Sequence, residues 1–131
     1  MKTTNMAGRH ILLVEDEHYM ANSIKFILSL ENYRVATAGD GREAIQKIVA
    51  EMQQSHPFDL IVADIWMPGF SGVEMFRELD KLKSNTPVLV ITAMDRNRVA
   101  EITAGSPVEY IFKPFDDAAL LERVGHILKK D

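Results

Sequence analysis

Five short apolar runs recur along the chain, and each is followed by a segment in which apolar residues return at helical spacing. The runs are His10–Val14, Tyr33–Thr37, Phe58–Ala63, Val88–Ile91 and Val108–Phe112. Each is four to six residues long, the length of a buried or half-buried strand, and β-branched residues are frequent in them. The intervening segments carry their apolar residues three and four apart. Examples are Met20, Ile24, Ile27, Leu28 and Leu30, then Ile45, Ile48, Val49 and Met52, then Val73, Phe76, Leu79 and Leu82. A closing stripe of Leu120, Leu121, Val124, Ile127 and Leu128 predicts a helix over 116–129. The segment 95–104, with Val99 and Ile102, predicts a short fourth helix.

Punctuation supports these boundaries. Asn32 is placed to stop the first helix, which the pattern predicts over 18–31. Asp40 with Glu43, and Ser71 with Glu74, have the spacing of capping boxes. The second helix is expected to end at His56-Pro57, and the third to run over 72–83. Residues 1–8 are short and polar and are expected to form a disordered tail, so the domain proper is expected to span 9–131.

Strict alternation of strand and helix demands a parallel α/β sheet covered on both faces. Runs 1, 3 and 4 are continuously apolar from Ile11, Leu60 and Val88 onward, whereas runs 2 and 5 contain Arg34 and Glu109. Uninterrupted runs belong in the middle of such a sheet and interrupted ones at its edges. The resulting order is 2-1-3-4-5, a flavodoxin-like (βα)5 three-layer sandwich with right-handed crossovers.

In this architecture ligands bind beyond the carboxyl ends of the strands. Strand 1 delivers Glu15 and Asp16 there, strand 3 delivers Asp64, strand 4 delivers Thr92 and strand 5 delivers Lys113. Singly, each has an ordinary reading. Acids suit a helix start, Thr suits a strand, Lys before Pro is commonly a loop charge, and Asp64 before Met67-Pro68-Gly69 could form a turn. Jointly they converge on one point. Carboxylates a few Å apart repel by roughly 3 kcal/mol per pair at an effective dielectric of ~20, so they call for a cation. An all-oxygen set without His or Cys favours Mg²⁺, and Mg²⁺ beside a carboxylate suggests phosphoryl transfer to it.

Other classes fit poorly. A net charge of −4 lacks the basic face that direct nucleic-acid binding requires. The absence of cysteine removes disulfides, thiolate metal sites and cysteine nucleophiles and makes a reducing cytoplasm the default location. No apolar run is long enough to span a membrane. His10, His18, His56 and His126 have no metal-site spacing and are expected at surfaces or element ends. The methionines at helical spacing are core filler, and Arg96-Asn97-Arg98 is a solvated face. An Asp-nucleophile phosphatase of the dehalogenase-like kind needs a second Asp two residues after the first, where this chain has Trp66. A flavin or dinucleotide carrier needs a phosphate loop after strand 1, where Glu15-Asp16-Glu17 would repel the ligand.

The combination of Leu12-Leu13-Val14-Glu15-Asp16, Asp64 with Met67-Pro68-Gly69, Ile91-Thr92-Ala93 and Lys113-Pro114-Phe115 resembles the receiver domain of bacterial two-component response regulators. The resemblance covers about residues 9–129. It implies that Asp64 accepts a phosphoryl group from the phosphohistidine of a sensor histidine kinase or phosphotransfer protein. It implies that Glu15, Asp16, Asp64 and the Trp66 carbonyl hold Mg²⁺, that Thr92 and Lys113 sense the phosphoryl group, and that Tyr110 is the switch aromatic. It also implies a cis Lys113–Pro114 bond and output through the fourth helix, strand 5 and the closing helix. Such a domain is no enzyme toward other substrates, since it catalyses only its own phosphorylation and dephosphorylation. Its downstream partner is a protein target or an output domain, and a phosphorylation-dependent dimer is compatible with it. No output segment follows Asp131 here, which leaves a stand-alone regulator and an excised receiver as the two readings. The rival is a receiver-like interaction module that is never phosphorylated.

Two departures stand out. Ala104-Gly105-Ser106-Pro107-Val108-Glu109-Tyr110 replaces the family's usual approach to strand 5. Trp66 and Met94 are large and apolar where polar residues are common. Side chains of that kind hinder the water that hydrolyses an acyl phosphate. Replacing Trp66→Asn and Met94→Glu together is therefore expected to speed dephosphorylation, measured as loss of the phosphorylated form with time; an unchanged rate contradicts this.

Overall fold

The computed structural model describes residues 8–54, 57–64, 72–93, 97 and 108–129. The strands are β1 (His10–Val14), β2 (Arg34–Ala38), β3 (Leu60–Asp64), β4 (Val88–Thr92) and β5 (Glu109–Phe112). The described helices are α1 (His18–Ser29), α2 (Gly41–Gln53), α3 (Gly72–Lys81) and a closing helix, α4 (Asp117–Lys129). The fourth helix expected over 95–104 lies outside the described residues.

The strands form one sheet in the order β2-β1-β3-β4-β5, with every neighbouring pair parallel. This is the flavodoxin-like arrangement expected from the distribution of apolar runs. β3 and β4 are buried at every position, whereas β2 and β5 are mostly half-buried. Strand alternation splits the core into two layers. Leu12, Val14, Ile61, Ala63, Val88 and Val90 face α2 and α3, which contribute Ala44, Ile48, Met75, Phe76 and Leu79. Ile11, Leu13, Leu60, Val62, Leu89 and Ile91 face α1 and α4, which contribute Ala21, Ile24, Leu28, Leu120, Val124, Ile127 and Leu128.

Helix ends follow local chemistry. The Asp40 carboxylate accepts the Glu43 N–H at 2.8 Å, and Glu43 Oε1 accepts the Gly39 N–H at 2.8 Å. The expected capping box therefore forms, with its return bond landing one residue before the cap. α1 is capped by Glu17, whose Oε1 accepts the Met20 N–H at 2.6 Å. Asp116 does the same for α4, accepting the Ala119 N–H at 2.8 Å. Asn32 takes a left-handed φ of 64° and donates its N–H to the Ser29 carbonyl at 2.9 Å, ending α1 as expected. α3 ends through Lys83 at φ 55°, with the Ser84 N–H returning to the Leu79 carbonyl at 3.1 Å. Gly8, assigned to the tail from sequence, donates its N–H to the Asn32 carbonyl at 2.8 Å. Ser71, the expected cap of α3, lies outside the described residues.

Four expectations need correction. Leu30 does not extend the buried face of α1 but is 61% exposed, because the helix has ended at Ser29. α2 stops at Gln53, before His56-Pro57, and α3 stops at Lys81 rather than Lys83. Met52 lies in the fraying last turn of α2 and is 43% exposed rather than part of its buried stripe, whereas Met75 is fully buried at the centre of the α2/α3 layer. Met75→Ala is accordingly expected to cost about 2–5 kcal/mol by urea unfolding, and Met52→Ala under about 1 kcal/mol. Equal costs would contradict this placement.

Candidate functional site

All five parallel strands run the same way, so their carboxyl ends share one edge of the sheet. β1 continues in register into Glu15, whose N–H donates to the Ala38 carbonyl at 2.9 Å. That bond fixes the Glu15 backbone at the end of the strand, and the residue is buried. Its Oε2 accepts the Glu17 N–H at 3.2 Å, while its buried Oε1 has no hydrogen-bond partner among the described residues. Asp64 closes β3 and is 6% exposed; Thr92 closes β4 and is fully buried.

Lys113 follows β5. Its backbone N–H donates to the Thr92 carbonyl at 2.8 Å, anchoring it to the end of β4. From there its Nζ reaches past β4 to the Asp64 carboxylate on β3, at 2.9 Å from Oδ2. The Lys113–Pro114 peptide bond is cis, as the resemblance implies.

The electrostatic consequence falls on Glu15. Burial pushes its carboxyl up to about 7, and the neighbouring Asp64 charge, with a smaller contribution from Asp16, pushes the same way. The Glu17 N–H and the Lys113 ammonium oppose the shift without cancelling it. An ionised Glu15 is therefore short of positive charge and of one hydrogen bond.

Glu15, Asp64, Thr92 and Lys113 thus come together as the sequence suggested. Asp16 is exposed at the rim, and among the described residues no three His, Asp or Glu side chains converge on one point. Trp66 and Met94 lie outside the described residues. Tyr110 is half-buried on the α2/α3 side of the sheet, its ring stacked on Phe112 with centroids 6.1 Å apart. Strand alternation puts Thr92 on the same side as Val90, hence on the side of Tyr110 and Phe112. Among the histidines, His18 and His126 are exposed, whereas His10 packs its ring against Phe58 at 4.3 Å at the start of β1. His56 lies outside the described residues. Sequence reading grouped Glu17 with the acidic cluster and missed its capping role; its place just before the first helical residue was the available signal. It also missed Arg123, which donates to the Tyr110 carbonyl at 2.7 Å. No local pattern marks a contact between residues thirteen apart in sequence.

The chain belongs to the response regulator receiver domains: the family's model matches residues 11–125. It is therefore a signalling domain of the two-component type. Among relatives, response regulator ArlR of Staphylococcus aureus is 38% identical over 122 residues, covering 92% of this chain and 52% of that protein. The chain thus spans about half the length of such relatives. The fold matches chemotaxis protein CheY4 of Vibrio cholerae with a TM-score of 0.79 and 28% identity, covering 92% of this chain and 99% of the other. It also matches response regulator TrrA of Thermotoga maritima in complex with Mg²⁺-BeF, with a TM-score of 0.75 and 33% identity, over 91% and 98% of the two chains. Among the described residues no helix is long and apolar enough to cross a membrane.

The raised Glu15 carboxyl has a defined pH signature. The folded protein holds the Glu15 proton more tightly than the unfolded chain does, so this contribution to stability is full below about 4.5 and is lost as pH rises through about 7. The shift corresponds to at most ~3 kcal/mol. In EDTA, Glu15→Gln is expected to flatten the decline in stability between these pH values and to exceed the parent's stability at pH 8, both read from urea unfolding. Parallel pH profiles for the two proteins would contradict it.

Proposed function

We propose that Asp64 is the phosphoacceptor of a signalling switch, receiving a phosphoryl group from the phosphohistidine of a sensor histidine kinase or phosphotransfer protein. The observation that carries this reading is the buried Asp64 carboxylate held 2.9 Å from the Lys113 ammonium, beside a second buried carboxylate with an orphaned oxygen.

The donor set suits Mg²⁺. Glu15 and Asp64 offer hard oxygen ligands, the buried Glu15 Oε1 lacks a partner, and the site holds Glu15's proton well above the ordinary carboxylate range. Asp16 at the rim and the Trp66 carbonyl would complete the set. TrrA of Thermotoga maritima, which is in complex with Mg²⁺-BeF, supports a magnesium site in this class. When bound, the ion supplies positive charge to oxygens of the entering phosphoryl group.

The remaining steps belong to the chain's own residues. An Asp64 carboxylate oxygen attacks the phosphorus, the phosphorus–nitrogen bond to the donor histidine breaks, and the imidazole leaves with that electron pair. Burial of Asp64 limits the water that reaches the acyl phosphate. The product replaces a carboxylate with a more highly charged group that has more acceptor oxygens. Lys113 transfers its charge-assisted hydrogen bond from Asp64 Oδ2 to a phosphoryl oxygen, and the Thr92 hydroxyl donates to another. Thr92 moves toward the site, Tyr110 follows on the same side of the sheet, and the output surface that the resemblance assigns to the fourth helix, β5 and the closing helix changes. The population of the active state rises because these contacts exist only in that state. That face signals to a protein target or an output domain rather than to nucleic acid directly.

Incubation with acetyl phosphate and Mg²⁺ is expected to add one phosphoryl mass to the intact protein, with EDTA or Asp64→Asn abolishing the adduct. A folded protein that acquires no phosphoryl mass would overturn this reading in favour of an unphosphorylated interaction module.

A further inference from the structure

Among the described residues β2 pairs only with β1 and β5 only with β4, so within them the sheet has two open edges. Along such an edge strand, alternate residues direct their N–H and C=O toward the neighbouring strand and outward. The hydrogen bonds identify which is which. The Arg34 N–H donates to the Arg9 carbonyl and the Ala38 carbonyl accepts the Glu15 N–H, so Arg34, Ala36 and Ala38 face β1, and Val35 and Thr37 face out. The Lys113 N–H donates to the Thr92 carbonyl, so Glu109 and Ile111 face β4, and Tyr110 and Phe112 face out.

On each edge one outward carbonyl is covered by a cation from a helix. Lys47 of α2 donates from Nζ to the Thr37 carbonyl at 2.6 Å. Arg123 of α4 donates from its guanidinium to the Tyr110 carbonyl at 2.7 Å. A carboxylate accompanies each cation, with Glu43 at 3.4 Å from Lys47 Nζ and Glu109 at 3.5 Å from Arg123. Beside β5, Arg123 also lines a cleft of about 340 Å³ together with residues Val108, Glu109, Tyr110, Ile111 and Phe112. A further strand pairs about 4.8 Å from an edge and needs the outward carbonyls as acceptors. Each cation takes up one of those acceptors on its edge.

We propose that Lys47 and Arg123 are edge guards that prevent the sheet of a second copy of this chain from pairing with β2 or β5. Natural sheets commonly protect edges with charge; here the charge also takes the acceptor. The guards act independently of phosphorylation, so they stand or fall apart from the role of Asp64.

The test is sedimentation velocity of the parent, Lys47→Ala, Arg123→Ala and Arg123→Lys across a range of concentrations, with hydrogen exchange on the same samples. Each Ala variant is expected to show a concentration-dependent rise in sedimentation coefficient beyond the parent's. Exchange should slow along β2 in K47A and along β5 in R123A, and R123K should behave as the parent. Either Ala variant staying folded by circular dichroism and sedimenting as the parent overturns its guard, as does association that leaves the edge amides unprotected. The edges are tested separately, so loss of fold in one variant leaves the other decisive.

Discussion

Lys113 and Asp64 come from strands that do not touch, and the ion pair between them spans the end of β4. Two backbone facts make this reach possible. The Lys113 N–H is fixed to the Thr92 carbonyl, and the strand ends are level because Asp64 pairs with Ile91 and Thr92 with Phe112. The pair matters because the edge of the sheet is otherwise acidic. Glu15 and Asp64 are both buried there, and one ammonium does not supply enough positive charge for two carboxylates. The residual deficit shows in Glu15, whose proton is held up to about pH 7. The same deficit that destabilises an ionised Glu15 is the physical ground for proposing a divalent cation, and through it a phosphoryl group, at this site.

The rest of the fold serves that edge. A parallel sheet with helices on both faces hides its strands and leaves their carboxyl ends as the place where polar groups collect. Thr92 is fully buried under the site and shares a side of the sheet with Tyr110 and Phe112. Any displacement at Thr92 therefore takes place on the side of the sheet that carries these two half-buried aromatic side chains.

Much of this was legible in the sequence because the strongest signals are periodic. Apolar runs such as Phe58–Ala63 and Val88–Ile91 belonged in the middle of the sheet, and Arg34 and Glu109 marked β2 and β5 as edges. Once the order was set, the site residues followed as the next residues along. What failed was decided by termini and by contacts distant in sequence. Leu30 and Met52 fit the helical period, but their helices end at or near them, so the period had nothing left to bury. Glu17 has the same charge as its two neighbours, yet it spends its carboxylate on the Met20 N–H at the helix start. Arg123 joins the closing helix to the edge strand through a backbone carbonyl, which carries no residue identity for a pattern to detect.

The central claim is that the edge formed by Glu15, Asp64, Thr92 and Lys113 is built to take a tetrahedral anion on Asp64 with Mg²⁺. Beryllofluoride is such an anion and forms no lasting covalent product, so titrating it with Mg²⁺ while following amide and lysine-ammonium NMR signals addresses the claim directly. The account predicts saturable shifts at Glu15, Asp64, Thr92 and Lys113, extending to Tyr110 and absent in Asp64→Asn. Shifts confined to other parts of the chain, or the same shifts in the Asn variant, would contradict it.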